Sequence, residues 1–124
     1  PALEAGAVVL TDRYLDSSVA YQGNGRDLRA DEVERLNLWA VEGLLPDLTV
    51  LLDLDPAVGL SRLTGDPDRL ERAGADFHAT TRRAFLERAA SGGRWLVLDG
   101  STEIDRLQSA IRERVAVLLG SVAT

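Results

Sequence analysis

The sequence predicts an α/β domain, with parallel strands and helices on both faces of the sheet. Three short apolar runs, at residues 8–11, 49–53 and 95–99, have the composition of buried strands. The segments between and after them show the apolar spacing of helices. Strands that alternate with helices favour right-handed crossovers between parallel strands. The 124 residues fit one such domain.

The first long helix is expected between the first two strands. Asp31 can cap its N-terminus, and the pattern continues to Leu45, with Leu36 and Trp39 on one side. Pro46 then ends it. The spacing predicts that Trp39 packs in the core.

Three further helices follow the second strand. Pro56 suits the first turn of a short helix that ends near Gly65. The polar stretch at about 64–75 is predicted to be a surface loop, and a helix over about 76–90 follows it. The last helix has a stripe of apolar residues spaced by three and four, Ile104, Leu107, Ile111, Val115 and Leu118.

Composition excludes several classes of protein. The chain has no cysteine and a net charge of −6, so thiolate sites and a broad basic face for nucleic acid are excluded. No apolar run is long enough to span a membrane, and we expect a cytoplasmic protein. All 14 basic residues are arginine. Without lysine there is no Walker A loop, whose lysine reaches the β and γ phosphates.

The strand ends are where function is expected, because ligands of open parallel sheets bind at the carboxyl ends of the strands. Carboxylates follow all three predicted strands, at Asp12, at Asp53 and Asp55, and at Asp99. Asp12 ends an apolar run in the form of a Walker B strand, so it either binds magnesium or caps the next helix. Arg13 adds a planar fork that matches two phosphate oxygens.

The residues after Arg13 complete a recognisable string. Ser17, Ser18 and Tyr21 project their hydroxyls toward one ligand if their segment is helical. The string from Thr11 to Gly23 resembles the signature of the thymidylate kinase family, which begins Asp-Arg-Tyr/His and continues through Ser to Ala-Tyr-Gln-Gly. The resemblance covers nearly the whole chain, through Pro46-Asp47-Leu48-Thr49, Leu52-Asp53-Leu54-Asp55-Pro56, Asp68-Arg69-Leu70-Glu71, Phe77, Arg82 and Leu98-Asp99-Gly100.

This resemblance implies a P-loop NTPase-like fold and phosphoryl transfer from ATP to dTMP, with Mg²⁺, in a homodimer. On the acceptor side it implies that Arg13 holds the dTMP phosphate and that Asp12 lies near magnesium or orients that arginine. Ser17 and Ser18 would approach the base. Tyr21 would pack near C2′ of the sugar and disfavour a ribose hydroxyl.

On the ATP side, the resemblance implies that residues 64–75 form a lid. Arg69 would be the lid's phosphate-reaching cation, where a desolvated charge stabilises the transferring group strongly. Arg62 would flank the adenine, and the turn Asp99-Gly100-Ser101 would lie on its other side.

The chain also departs from the family pattern, because the family's P-loop strand and thymine-stacking helix are not in it. The expectation is a C-terminal three-fifths with three of five strands, a gap in its sheet, and no kinase activity as a separate molecule. Two alternatives stay open. One is a nucleoside or nucleotide kinase with another acceptor, and the other is a non-catalytic assembly module.

Overall fold

The fold is described from a computed structural model, which covers residues 1–22, 30–62 and 74–122. Five helices and two strands alternate along these residues in the α/β order that the sequence predicts. In chain order they are α1 (Leu15–Gln22), α2 (Ala30–Ala40), β1 (Thr49–Asp53), α3 (Pro56–Ser61), α4 (Ala75–Ala90), β2 (Trp95–Asp99) and α5 (Ile104–Val122).

The two strands form a parallel ladder, which confirms the strands predicted at 49–53 and 95–99. Thr49 lies opposite Trp95 at one end, and Asp53 lies opposite Asp99 at the other. Parallel neighbours place their carboxyl ends at the same edge of the sheet. Two aspartates from distant parts of the sequence therefore meet at the edge where ligands are expected.

The predicted strand at residues 8–11 is wrong, so the described sheet has two strands rather than three. Val8 is 63% exposed and Leu10 is 90% exposed. A strand is stable only when its backbone groups pair with a neighbour, and no described strand lies beside this segment. Its β-branched composition was therefore an insufficient signal.

Helix α2 ends five residues before the predicted position at Leu45. Gly43 has φ +74°, a left-handed conformation, and its N–H donates to the carbonyl of Leu38 at 2.8 Å. This hydrogen bond closes the helix end as glycine commonly does. The expectation that Trp39 packs in the core is also wrong, since its side chain is 79% exposed.

Helices α3 and α4 begin within one residue of the predicted positions, and α3 ends at Ser61, four residues before the predicted end near Gly65. Pro56 opens α3, and the Asp55 carboxylate accepts a hydrogen bond from the Ala57 N–H at 2.9 Å, which satisfies a free donor of the first turn. Helix α4 packs against both strands, and α5 packs against β2. Ile104, the first residue of the predicted apolar stripe, is 70% exposed, while Leu107 is partly buried.

The most buried apolar side chains lie where α1 meets α2. They are Leu15, Val19, Ala20 and Val33. Helix α4 also packs on α1, so α1 contacts both of these helices. No helix in the described ranges is both long and apolar enough to cross a membrane.

Candidate active site

The site is built at the carboxyl ends of β1 and β2. The chain turns immediately after Asp99, and the Gly100 N–H donates to the carbonyl of Asp53 at 2.7 Å. A Cβ atom on Gly100 would lie 3.1 Å from that carbonyl oxygen. A side chain at this position would force the Asp53 carbonyl or the turn to move by a few tenths of an ångström, so glycine favours the close approach of the two strand ends.

An ion pair fastens α4 to the end of β1. Arg82 donates from Nε to Asp53 Oδ1 at 2.7 Å and from Nη2 to Oδ2 at 2.9 Å, and its Nη1 reaches Asp55 at 3.4 Å. This two-bond geometry is the strong form of an arginine–carboxylate contact. The hydrogen bonds from Arg82 lower the pKa of Asp53 below its ordinary value, and the same contact raises the pKa of Arg82.

Arg13 is held in an unusual backbone conformation at the entrance to α1. Its φ is +65°, and its carbonyl accepts a hydrogen bond from the Thr11 hydroxyl at 3.1 Å. The guanidinium carbon lies 5.4 Å from the centroid of the Tyr21 ring. Arg13 and Asp12 are both exposed. The structure thus brings Arg13, which is predicted to bind the phosphate, into contact with Tyr21, which is predicted to pack against the sugar.

Helix α1 presents the other predicted acceptor-side residues. Ser17 and Ser18 are partly buried. Residues Leu15–Gln22 are helical, which is the condition under which the hydroxyls of Ser17, Ser18 and Tyr21 were predicted to project toward one ligand. Tyr21 also packs against Phe77, with centroids 6.0 Å apart, and edge-on against Phe85 at 6.1 Å. The ring is fixed by aromatic neighbours from α4, which limits its rotation.

A cavity of about 410 Å³ lies beside this aromatic group. Its lining includes Tyr21, Phe85, His78 and Thr81 together with residues of β1. His78 Nε2 and Thr81 Oγ1 are buried and have no hydrogen-bond partner within the described part of the chain. Leaving the hydrogen bonds of two buried polar atoms unmade is costly.

The predicted adenine-side residues also lie together. Arg62 Nη1 donates to the carbonyl of Gly100 at 3.5 Å, a long contact. Asp99 accepts hydrogen bonds from the Ser101 hydroxyl at 2.6 Å and from its N–H at 2.8 Å, and these bonds lower the pKa of Asp99. The turn is thereby locked in one shape, with Arg62 on one side of it.

Arg69 and residues 64–73 of the predicted lid lie outside the described residues. For magnesium, the described ranges contain no group of three or more histidine, cysteine or acidic side chains. Mg²⁺ usually binds one or two carboxylates and keeps water and phosphate oxygens. Asp12, exposed and next to Arg13, could supply such a carboxylate.

Sequence reasoning missed Asp16, which is 4% exposed. Its carboxylate accepts hydrogen bonds from Arg88 at 2.8 and 2.9 Å and from Arg94 at 2.8 Å to each oxygen. Glu34 also binds Arg88, at 3.1 Å. Burial opposes the charge of Arg88, but hydrogen bonds to Asp16 and Glu34 raise its pKa above the ordinary value. The sequence signal that could have indicated this role is the position of the Asp16 carboxylate among the apolar residues of α1 that face the core.

Two parallel strands with helices packed on them define an α/β protein, and the strand ends where Asp53 and Asp99 meet are the edge at which open parallel sheets bind ligands. A family model narrows this class. The model for thymidylate kinase matches residues 1–111, and the chain belongs to the thymidylate kinase family.

Curated relatives agree with this assignment. The thymidylate kinase of Bifidobacterium longum subsp. infantis is 52% identical over 120 residues, which are 96% of this chain and 52% of the relative. That of Clavibacter michiganensis subsp. michiganensis is 54% identical over 100% of the chain and 61% of the relative. The thymidylate kinase of Leifsonia xyli subsp. xyli is 55% identical over 93% of the chain and 56% of the relative. The chain thus spans little more than half the length of these relatives.

Proposed function

We propose that the whole protein transfers a phosphoryl group from ATP to dTMP, giving dTDP for dTTP biosynthesis. The observation that supports this best is the contact between Arg13 and Tyr21 on α1, because it joins a phosphate-binding fork to a ring that can pack against a sugar. Membership of the thymidylate kinase family supports dTMP as the nucleotide that this contact would bind. For such an enzyme we propose a cytoplasmic location.

In the proposed reaction, the side chains bind and orient both nucleotides. Arg13 binds the acceptor phosphate, Ser17 and Ser18 approach its base, and Tyr21 packs against its sugar. The acceptor phosphate is already ionised, so the reaction depends on positioning and charge stabilisation rather than on a strong base. Proximity and alignment of the two phosphates are then the main contribution of the α1 segment.

The donor side uses residues at the other edge of the site. Arg62 and the turn Asp99-Gly100-Ser101 would enclose the adenine, and Arg69 would neutralise charge on the transferring group. Asp12 would hold Mg²⁺, which, when bound, supplies positive charge at the phosphate oxygens. We propose no kinase activity for the 124 residues alone, because the sequence has no lysine and so no Walker A loop.

We further propose that the whole protein is a homodimer that pairs through α2. Leu36 is 64% exposed and Trp39 is 79% exposed on this helix. Large apolar side chains at protein surfaces commonly mark interaction sites when they are contiguous. The same face favours a second candidate function, an assembly module without catalysis.

The test uses the chain itself and a chimera, in which the part of the Leifsonia xyli thymidylate kinase that this chain does not cover is joined to it. Phosphorylation of dTMP, dUMP, dCMP and AMP by ATP is measured for both. We expect the chimera to phosphorylate dTMP and the chain alone to be inactive. Because the relative supplies the thymine-stacking helix, the comparison of the four nucleotides tests only the part of acceptor recognition that this chain contributes. A preference for another nucleotide would favour the alternative kinase, and an inactive chimera with a soluble, folded structure would favour the assembly module.

The role of Arg13 is tested in the same chimera. Arg13→Ala removes a charge-assisted phosphate contact worth about 1.5–3 kcal/mol, so kcat/KM for dTMP should fall about 10- to 150-fold. Arg112→Ala, an exposed arginine on α5, is the matched control and should change it less than twofold. An unchanged kcat/KM for Arg13→Ala would remove Arg13 from the site.

A further inference from the structure

The backbone at Arg13 requires support from the surrounding fold. A non-glycine residue at φ +65° places its Cβ close to the following carbonyl, which is unfavourable. Such conformations persist only where neighbouring contacts over-determine them, and they cluster at functional sites. The hydrogen bond from Thr11 to the Arg13 carbonyl lies at the surface, where water competes for it. The stronger restraint is expected from the buried side of the turn.

That restraint lies three residues further along, at Asp16. The Ser17 N–H donates to the Tyr14 carbonyl at 3.0 Å, which ties the start of α1 to the turn that contains Arg13. The Asp16 carboxylate is then held by Arg88, in the last turn of α4, and by Arg94, just before β2. Side-chain exposures of 6%, 17% and 19% for these residues keep water from weakening the cluster.

We propose that Asp16 is a positioning residue, whose clamp by Arg88 and Arg94 fixes the left-handed conformation of Arg13 for binding the phosphate of a nucleoside monophosphate. Asp16 itself does not touch the nucleotide. It acts by preventing α1 from shifting along α4, because Arg88 holds Oδ1 of its carboxylate and Arg94 holds both oxygens. The inference rests on the proposed function, since Arg13 is taken to bind the acceptor phosphate.

The test compares Asp16→Asn with Glu34→Gln in the chimera. Both substitutions remove one negative charge from Arg88's partners, but only Asp16 lies on α1. Asp16→Asn should raise the KM for dTMP at least tenfold, while the KM for ATP changes less than twofold. Glu34→Gln should leave both KM values within twofold. Arg94→Gln keeps the Arg88 contact and should give a smaller rise in the KM for dTMP. This variant takes the place of Asp16→Asn in the test if Asp16→Asn does not fold.

Hydrogen exchange of the backbone amides at residues 14–18 gives a readout that needs no activity. We expect at least tenfold faster exchange there in Asp16→Asn, or a smaller acceleration in Arg94→Gln, and no change in Glu34→Gln. Equal exchange in the three variants overturns the proposal, as does a rise of both KM values together. If the unaltered chimera phosphorylates no dTMP, the proposed function fails, and hydrogen exchange still decides whether Asp16 holds the Arg13 turn.

Discussion

Replacing Gly100 with alanine tests how closely the turn after β2 packs against the end of β1. The added Cβ would lie 3.1 Å from the carbonyl oxygen of Asp53 and 3.4 Å from the Leu54 Cβ. The nearer atom belongs to the backbone and already accepts the 2.7 Å hydrogen bond from Gly100. Relief of the clash therefore means moving a strand end or lengthening this hydrogen bond.

The expected cost follows from these two routes. Overpacking of a close contact costs about 1–3 kcal/mol, and a weakened hydrogen bond adds up to about 1 kcal/mol. We expect Gly100→Ala to lower the free energy of unfolding by about 2 kcal/mol. With an m-value of about 2 kcal/mol/M, the urea midpoint falls by roughly 1 M.

The assay is urea unfolding of the chimera, followed by circular dichroism. Gly92→Ala is the matched control, because a Cβ on Gly92 meets no atom within 4 Å. Its midpoint should stay within the error of the parent, or rise slightly through a less flexible unfolded chain. Equal midpoints for Gly100→Ala and Gly92→Ala would refute the close packing of the two strand ends.

Two further predictions concern the Asp53–Arg82 pair and α2. Asp53 has a lowered pKa in the folded chain, so its contribution to stability is present above the unfolded value of about 3.9 and is lost as pH falls through the lower folded value. Asp53→Asn should therefore reduce the urea midpoint at pH 6, and the difference from the parent should shrink between pH 4 and pH 2; a difference independent of pH would contradict the ion pair. We expect the chimera to form the proposed dimer in light scattering and Trp39→Ser to be a monomer; a dimeric mass for both proteins would exclude Trp39 from the interface.

The elements that sequence reasoning predicted well are those set by local signals. The runs at 49–53 and 95–99 were predictable because each is short, apolar and bounded by turns, and they form β1 and β2 because they pair with each other. The run at 8–11 has the same composition, but pairing is a non-local property that composition does not encode. In α2, the apolar residues at 41, 44 and 45 continue the helical spacing, and the left-handed Gly43 overrides it.

The residues of the site also fall into a group that local sequence signals predict and a group that depends on long-range contacts. Ser17, Ser18 and Tyr21 could be grouped from the sequence because one helix places them together. The ion pairs could not, since Asp16 lies 72 residues from Arg88 and Asp53 lies 29 residues from Arg82. A single sequence with many arginines and acidic residues offers no means of choosing among the possible pairs.

These two ion pairs also explain how α4 serves the site. Arg82 and Arg88 are six residues apart, which is about 9 Å along a helix and about 240° around it. They therefore point to different sides of α4, one toward the end of β1 and the other toward α1. The helix is fixed at two separated points, which prevents both sliding and rotation. Because α4 begins directly after the predicted lid, the lid would be attached to a helix whose position is set by the strand end and by the Arg13 segment together.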